Sequence, residues 1–153
     1  RRLAAIVKRC RDIPGQRLFQ YVDERGEYQA ITSSDVNDYL KRGTGIEATA
    51  KTFRTWSATL LAASKLRALP AAGNATAQKR QINAVLEAVA SHLGNTRAIC
   101  RKSYVDPRVI DSYLLGKLSS CCSRSTRRAG LTQEECQLVA ILASARASER
   151  KAA

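Results

Sequence analysis

Two long apolar periods, six residues apart, limit this chain to a helical core. Thr49 opens the first helix, expected over Ala50 to about Leu69, with Phe53, Trp56, Leu60 and Ala63 on one stripe and Pro70 as terminator. A loop of small residues, Ala71 to Thr76, follows. The second helix runs to about Leu93, is expected to bury Ile82, Val85, Leu86 and Val89, and stops at Gly94. Two amphipathic helices joined by so short a connection must pack on each other or on a common partner.

Shorter signals surround this pair. Leu3, Ile6, Val7 and Cys10 recur at i, i+3, i+4 and i+7, the face of a short helix that ends before Pro14-Gly15. Leu18 to Val22 and Tyr28 to Ile31 flank a connection containing Gly26, which predicts a small hairpin. Ser34 is placed to cap a helix over Asp35 to Arg42, broken by Gly43-Thr44-Gly45. Asp106-Pro107 begins another helix, with a cap followed by proline at its first position. From Gly116 to Gly130 the chain is Ser-rich and basic and reads as a linker. Thr132 and Glu135 form a capping box, with Leu131 placed to staple onto Cys136, for a last helix reaching about Arg146. The expected fold is mainly α: a compact helical domain with one small β-hairpin, then a C-terminal helix after a basic linker.

Charge narrows the partner. The 153 residues hold 26 Lys and Arg against 13 Asp and Glu, a net charge of +13. That excess favours a polyanion, with nucleic acid ahead of an anionic membrane. Hydrophobic residues make up 44%, enough for a core, and no uncharged apolar run is long enough to suggest a membrane span. The five cysteines form no C-x-x-C pair, and His92, the only histidine, has no cysteine at a zinc spacing, so no metal site is expected. An odd number of cysteines reads as reduced thiols in a cytoplasmic protein. The chain has no methionine and opens on Arg1, which reads as an internal piece or a processed product.

Two segments hold polar residues that packing explains poorly. In Ala50-Lys51-Thr52-Phe53-Arg54-Thr55-Trp56, Arg54 lies beside the apolar stripe rather than opposite it. Its planar fork would leave the core with little freedom, which suits bidentate contact with a phosphate. The plain alternative is a surface arginine lying over aromatic rings. The second segment runs from Leu93-Gly94-Asn95-Thr96 to Arg101-Lys102-Ser103-Tyr104. A tyrosine can attack phosphorus as a phenolate and leave again, storing the diester energy in a covalent bond. Its free pKa of about 10 means that cationic neighbours help it ionise. Arg101 and Lys102 are placed to supply that field or to hold flanking phosphates. A helix cap, a solvated basic turn and an interfacial tyrosine are the plain reading of the same residues.

Together, and with Pro14-Gly15-Gln16, Leu18-Phe19-Gln20-Tyr21 and Thr32-Ser33-Ser34-Asp35-Val36-Asn37-Asp38-Tyr39-Leu40, the two segments follow one another in an order that resembles the catalytic domain of the bacterial and poxvirus-like type IB DNA topoisomerases. The resemblance covers roughly residues 1–115. It implies a catalytic-domain fragment at 1–115, a basic linker at 116–130 and a C-terminal helix and tail at 131–153. It also implies nicking and rejoining of double-stranded DNA without metal, ATP or other cofactor, through a 3′-phosphotyrosyl link, by a monomer, at the nucleoid if the source is bacterial.

By position, Tyr104 matches the family's nucleophile and Arg54 an arginine that stabilises charge on the phosphate. Asn95 stands where many relatives carry histidine and bacterial members often carry asparagine. Lys51, Arg101 and Lys102 are the expected further DNA contacts. A second arginine and a lysine general acid belong upstream of Arg1 in the family. Arg97 stands in place of a usual proline, and Asp106 in place of a common histidine. The tyrosine recombinases share this chemistry but usually carry histidine three residues before the arginine, where this chain has Lys51. A catalytically inactive DNA-binding remnant is the other alternative. Tyr113, among Val109, Ile110 and Leu114, is the competing tyrosine and reads as a packing residue, while Tyr21, Tyr28 and Tyr39 read as structural.

Overall fold

The computed structural model describes residues 2–15, 17–118, 120 and 127–152. Its elements in chain order are α1 (Arg2–Arg11), β1 (Gln20–Val22), β2 (Tyr28–Ala30), α2 (Ser33–Thr44), α3 (Ala50–Ala68), α4 (Ala75–Leu93), α5 (Arg97–Ser103), α6 (Pro107–Leu114) and α7 (Gln133–Ala152). The chain divides into two units, Arg1–Ala50 and Lys51–Ala153. The mainly helical class with one hairpin is as expected.

In the first unit, β1 and β2 pair antiparallel with Tyr21 opposite Gln29. Asp23 organises the turn: its Oδ1 accepts the N–H groups of Arg25 and Glu27, and its Oδ2 accepts from Gln29 Nε2. These bonds, led by the one from Glu27, hold its carboxyl below the usual range. Gly26 closes the turn at φ +80°, a conformation that favours glycine. The cap of α2 lies two residues earlier than expected. Thr32, not Ser34, accepts from Asp35 N–H, and Asp35 returns a bond to Thr32 N–H, so the reciprocal pair decides the start. The helix then continues through Gly43 and stops at Gly45 in the left-handed region. The apolar face of α1 is real but uncovered, with Leu3 78% exposed, and Tyr21, Tyr28 and Tyr39 are exposed as well. Among the described residues of this unit only Ala48 is buried.

The second unit holds the core. α3 buries Ala58, Thr59, Ala62, Ala63 and Leu66. The stripe expected from its large residues is therefore rotated: Trp56 and Leu60 are only partly buried at its edge, and Phe53 is 49% exposed. Small residues face inward because Leu86 and Val89 of α4, Val109 and Ile110 of α6, and Leu138 and Ile141 of α7 already fill that space. α4 runs between an Asn74 cap and Gly94 and buries Ile82, Val85, Leu86 and Val89 as expected. α7 starts at the Thr132–Glu135 capping box and runs on past Arg146 to Ala152. The sequence predicts a C-terminal helix and tail over 131–153, and the Leu138 and Ile141 of α7 share one core with α3 and α4. Leu118 also joins this core. Of the stretch read as linker, residue 119 and residues 121–126 lie outside the described residues.

Candidate active site

The site begins at a helix end. Asn95 N–H donates to Ala90 O and Gly94 N–H to Ser91 O, the paired bonds of a Schellman stop, with Gly94 at φ +66°. A β-carbon on Gly94 would meet nothing within 4 Å, so the left-handed backbone rather than crowding calls for glycine here. The stop leaves the carbonyl of Leu93 without a backbone donor among the described residues. Arg54 supplies one. It reaches across from α3 and donates from Nη2 to Leu93 O at 3.0 Å. A cation suits that place, because the C-terminus of α4 carries partial negative charge.

The same guanidinium stands 5.2 Å from the centroid of the Tyr104 ring, within cation–π range. Arg54 is therefore fixed at two points, by a helix-end carbonyl and by an aromatic face, and it uses only part of its donor set. The two residues singled out from separate segments, fifty positions apart, come together. Asn95 is next to this junction in the chain, two residues beyond Leu93. Its Nδ2 is buried and has no acceptor among the described protein groups. The turn then hands over to Thr96, whose hydroxyl accepts Ile99 N–H and caps α5. Arg97 takes the first helical position, where a proline would also fit, and is exposed.

Tyr104 ends α5 and is half-buried, with its N–H donating to Cys100 O at 3.1 Å. Cys100 lies under this turn, fully buried; burial pushes its thiol above the ordinary range, and the charge of Arg54 acts against that shift. One turn before Arg54 on α3, Lys51 is exposed, and Arg101 and Lys102 are exposed on the last turn of α5.

Asp106, two residues beyond Tyr104, is engaged by Arg108. Its Oδ1 accepts Arg108 N–H and Nε–H, and its Oδ2 accepts from Arg108 Nη2 at 2.6 Å. It is the cap of α6, and the bonds to Arg108 hold its carboxyl below the usual range. Tyr113 gives its hydroxyl to Gln81 Oε1 and packs on the core, as its neighbours imply. His92 is exposed in the last turn of α4, a place that suits a cation.

Two contributors were not found from the sequence. Thr59 is buried and bonds to the Tyr104 turn, and Glu135 of α7 accepts Trp56 Nε1–H at 3.4 Å. A threonine within the alanine-rich inward face of α3 was the available signal for the first, since a buried hydroxyl needs a partner. Nothing local marks the second, which joins positions 79 residues apart. Among the described residues, no group of three or more His, Cys, Asp or Glu is arranged to hold a metal ion, and no helix is long and apolar enough to cross a membrane.

A half-buried tyrosine, an arginine held against its ring and a buried amide two residues beyond Leu93 thus lie on a helical scaffold. Residues 1–115 match the family described as eukaryotic DNA topoisomerase I, catalytic core, and the chain belongs to that family. It is similar to the DNA topoisomerase 1B of Acanthamoeba polyphaga mimivirus, with 32% identity over 115 residues, which is 70% of this chain and 34% of that protein. The chain thus spans about a third of the length of this relative. α7 lies beyond the matched residues.

Proposed function

We propose that the chain carries the tyrosine-bearing part of a type IB DNA topoisomerase, which relaxes duplex DNA by cutting and resealing one strand. The observation that carries the reading is the Arg54 guanidinium held between Leu93 O and the Tyr104 ring. In this reaction the Tyr104 phenolic oxygen attacks a backbone phosphorus and passes its proton to solvent water. The bond from phosphorus to the 5′ oxygen breaks, and the leaving oxygen takes up a proton to become a hydroxyl. The strand is now linked to the enzyme as a 3′-phosphotyrosine. After the duplex turns about the intact strand, the hydroxyl reverses the attack and frees Tyr104.

Negative charge builds on the phosphate oxygens during both steps. The remaining N–H groups of Arg54 and the Nδ2 of Asn95 are the donors that would receive it, and a donor fixed beforehand needs no reorganisation as the charge develops. Lys51, Arg101 and Lys102 would hold the neighbouring phosphates. The proton donor for the leaving oxygen is the upstream lysine that the family resemblance implies.

A duplex with sulfur in place of the bridging 5′ oxygen tests this on the chain as it stands, because a thiolate leaves without a proton donor. The expected result is a DNA–protein adduct that resists denaturing electrophoresis and is absent in Tyr104→Phe, with duplex binding by the variant unchanged within about twofold. An adduct that survives Tyr104→Phe, or no adduct from the wild type, overturns the reading. With the upstream residues joined on, relaxation of supercoiled plasmid is expected in EDTA. Strand exchange in place of relaxation would instead favour a recombinase.

A further inference from the structure

Thr59 is 3% exposed and stands five residues after Arg54 on α3, about 7.5 Å further along the helix axis. Its hydroxyl has three partners. It is 2.7 Å from Thr55 O on its own helix and 3.2 Å from Tyr104 O, and it accepts Asp106 N–H at 3.1 Å. The first is the usual back-bond of a helical threonine. The single hydroxyl proton is shared between Thr55 O and the more distant Tyr104 O, so the bond accepted from Asp106 N–H is the one that pins the Tyr104–Asp106 turn to α3.

We propose that Thr59 is a positioning residue for the attacking tyrosine. The proposal rests on the reading of Tyr104 as nucleophile. Arg54 meets the ring of Tyr104 and Thr59 meets its backbone, and both project from one rigid helix. With the backbone fixed, only the side-chain torsions can move the phenol, and Arg54 limits those. Without the Thr59 hydroxyl, the turn keeps the burial of Val105, which sets its depth but supplies no directional bond. A shift of about 1 Å at a reacting group is enough to lower a rate by about a hundredfold.

Thr59→Val keeps the shape and removes the hydroxyl, while Thr59→Ser keeps the hydroxyl. In the full chain, amide hydrogen exchange followed by NMR reads the Asp106 N–H directly, without DNA. Thr59→Val should lose at least about tenfold of its protection, and Thr59→Ser should keep it. On the sulfur-bridged duplex, Thr59→Val should form the adduct about 10- to 100-fold more slowly, with the dissociation constant for duplex unchanged within about twofold. Thr59→Ser should recover the rate to within about threefold, measured well below the melting temperature of each variant. Wild-type protection of Asp106 in Thr59→Val, or a wild-type rate, or a lost rate that serine does not restore, overturns the positioning role. A wild type that forms no adduct removes the proposed reaction and this role together, whereas a reactive wild type with an equally reactive valine variant removes the role alone.

Discussion

Arg54 is the residue on which the geometry turns. Its anchor is a carbonyl that the Schellman stop leaves over, and its cover is the ring of Tyr104. Removing it by Arg54→Ala should slow adduct formation by at least about 10²-fold, the cost of losing one preorganised oxyanion donor. Single-turnover cleavage measures this, and a change under tenfold would make Arg54 ordinary surface. Asp106 yields a second expectation at this scale. Its carboxyl is held below the ordinary value of 3.8, chiefly by its bonds to Arg108, so it contributes stability that is full above that value and is lost as pH falls below it. Asp106→Asn should therefore lower stability at neutral pH and change little well below that value, which flattens the acid limb of a pH–stability curve. The place of Arg54 beside an apolar stripe was legible in the sequence, as was the capping role of Asp106. The partners of Arg54 were not, because a leftover helix-end carbonyl becomes a partner only once two helices have packed.

At the scale of elements, end signals carried most of what could be read. Asp106 and Thr132 each cap the helix they precede, because a short polar side chain before an apolar period has little else to do, whereas Asn74, read as part of a loop, proves to cap α4. The error at α2 has the same physics: Thr32 wins over Ser34 through the return bond from Asp35, a reciprocity that a single cap cannot match. Periodicity was less informative about what covers a face. It located α1 correctly, yet Leu3, Ile6 and Val7 stay exposed, and of the stripe it gave on α3 only Ala63 is buried, beside Ala58, Thr59, Ala62 and Leu66. Gly94→Ala tests the stop of α4. The left-handed backbone should make it roughly 1–2 kcal/mol less stable by denaturant titration. The variant should also slow cleavage, since the Leu93 carbonyl and Asn95 both depend on that turn. Equal stability and equal rate would show that the turn tolerates a side chain.

For the molecule as a whole, the net charge of +13 sets the character of binding. Duplex affinity should fall steeply as salt rises, through release of counterions from the phosphates. Replacing Lys51, Arg101 or Lys102 with alanine should lower the slope of log K against log salt by about 1 each, if each meets one phosphate. Fluorescence anisotropy across a salt series reads this, and an unchanged slope would assign that side chain to another role. α7 was expected as a C-terminal helix after a basic Ser-rich stretch, but nothing local showed that its Leu138 and Ile141 close the core. Its contact with α3 has a practical consequence. Trp56 is the only indole in the chain, two residues beyond Arg54, and its N–H rests on the Glu135 carboxylate. All tryptophan emission from this protein thus originates at the seam between the arginine-bearing helix and the helix outside the family match, so a spectral shift on heating marks the parting of that seam rather than an average over the chain.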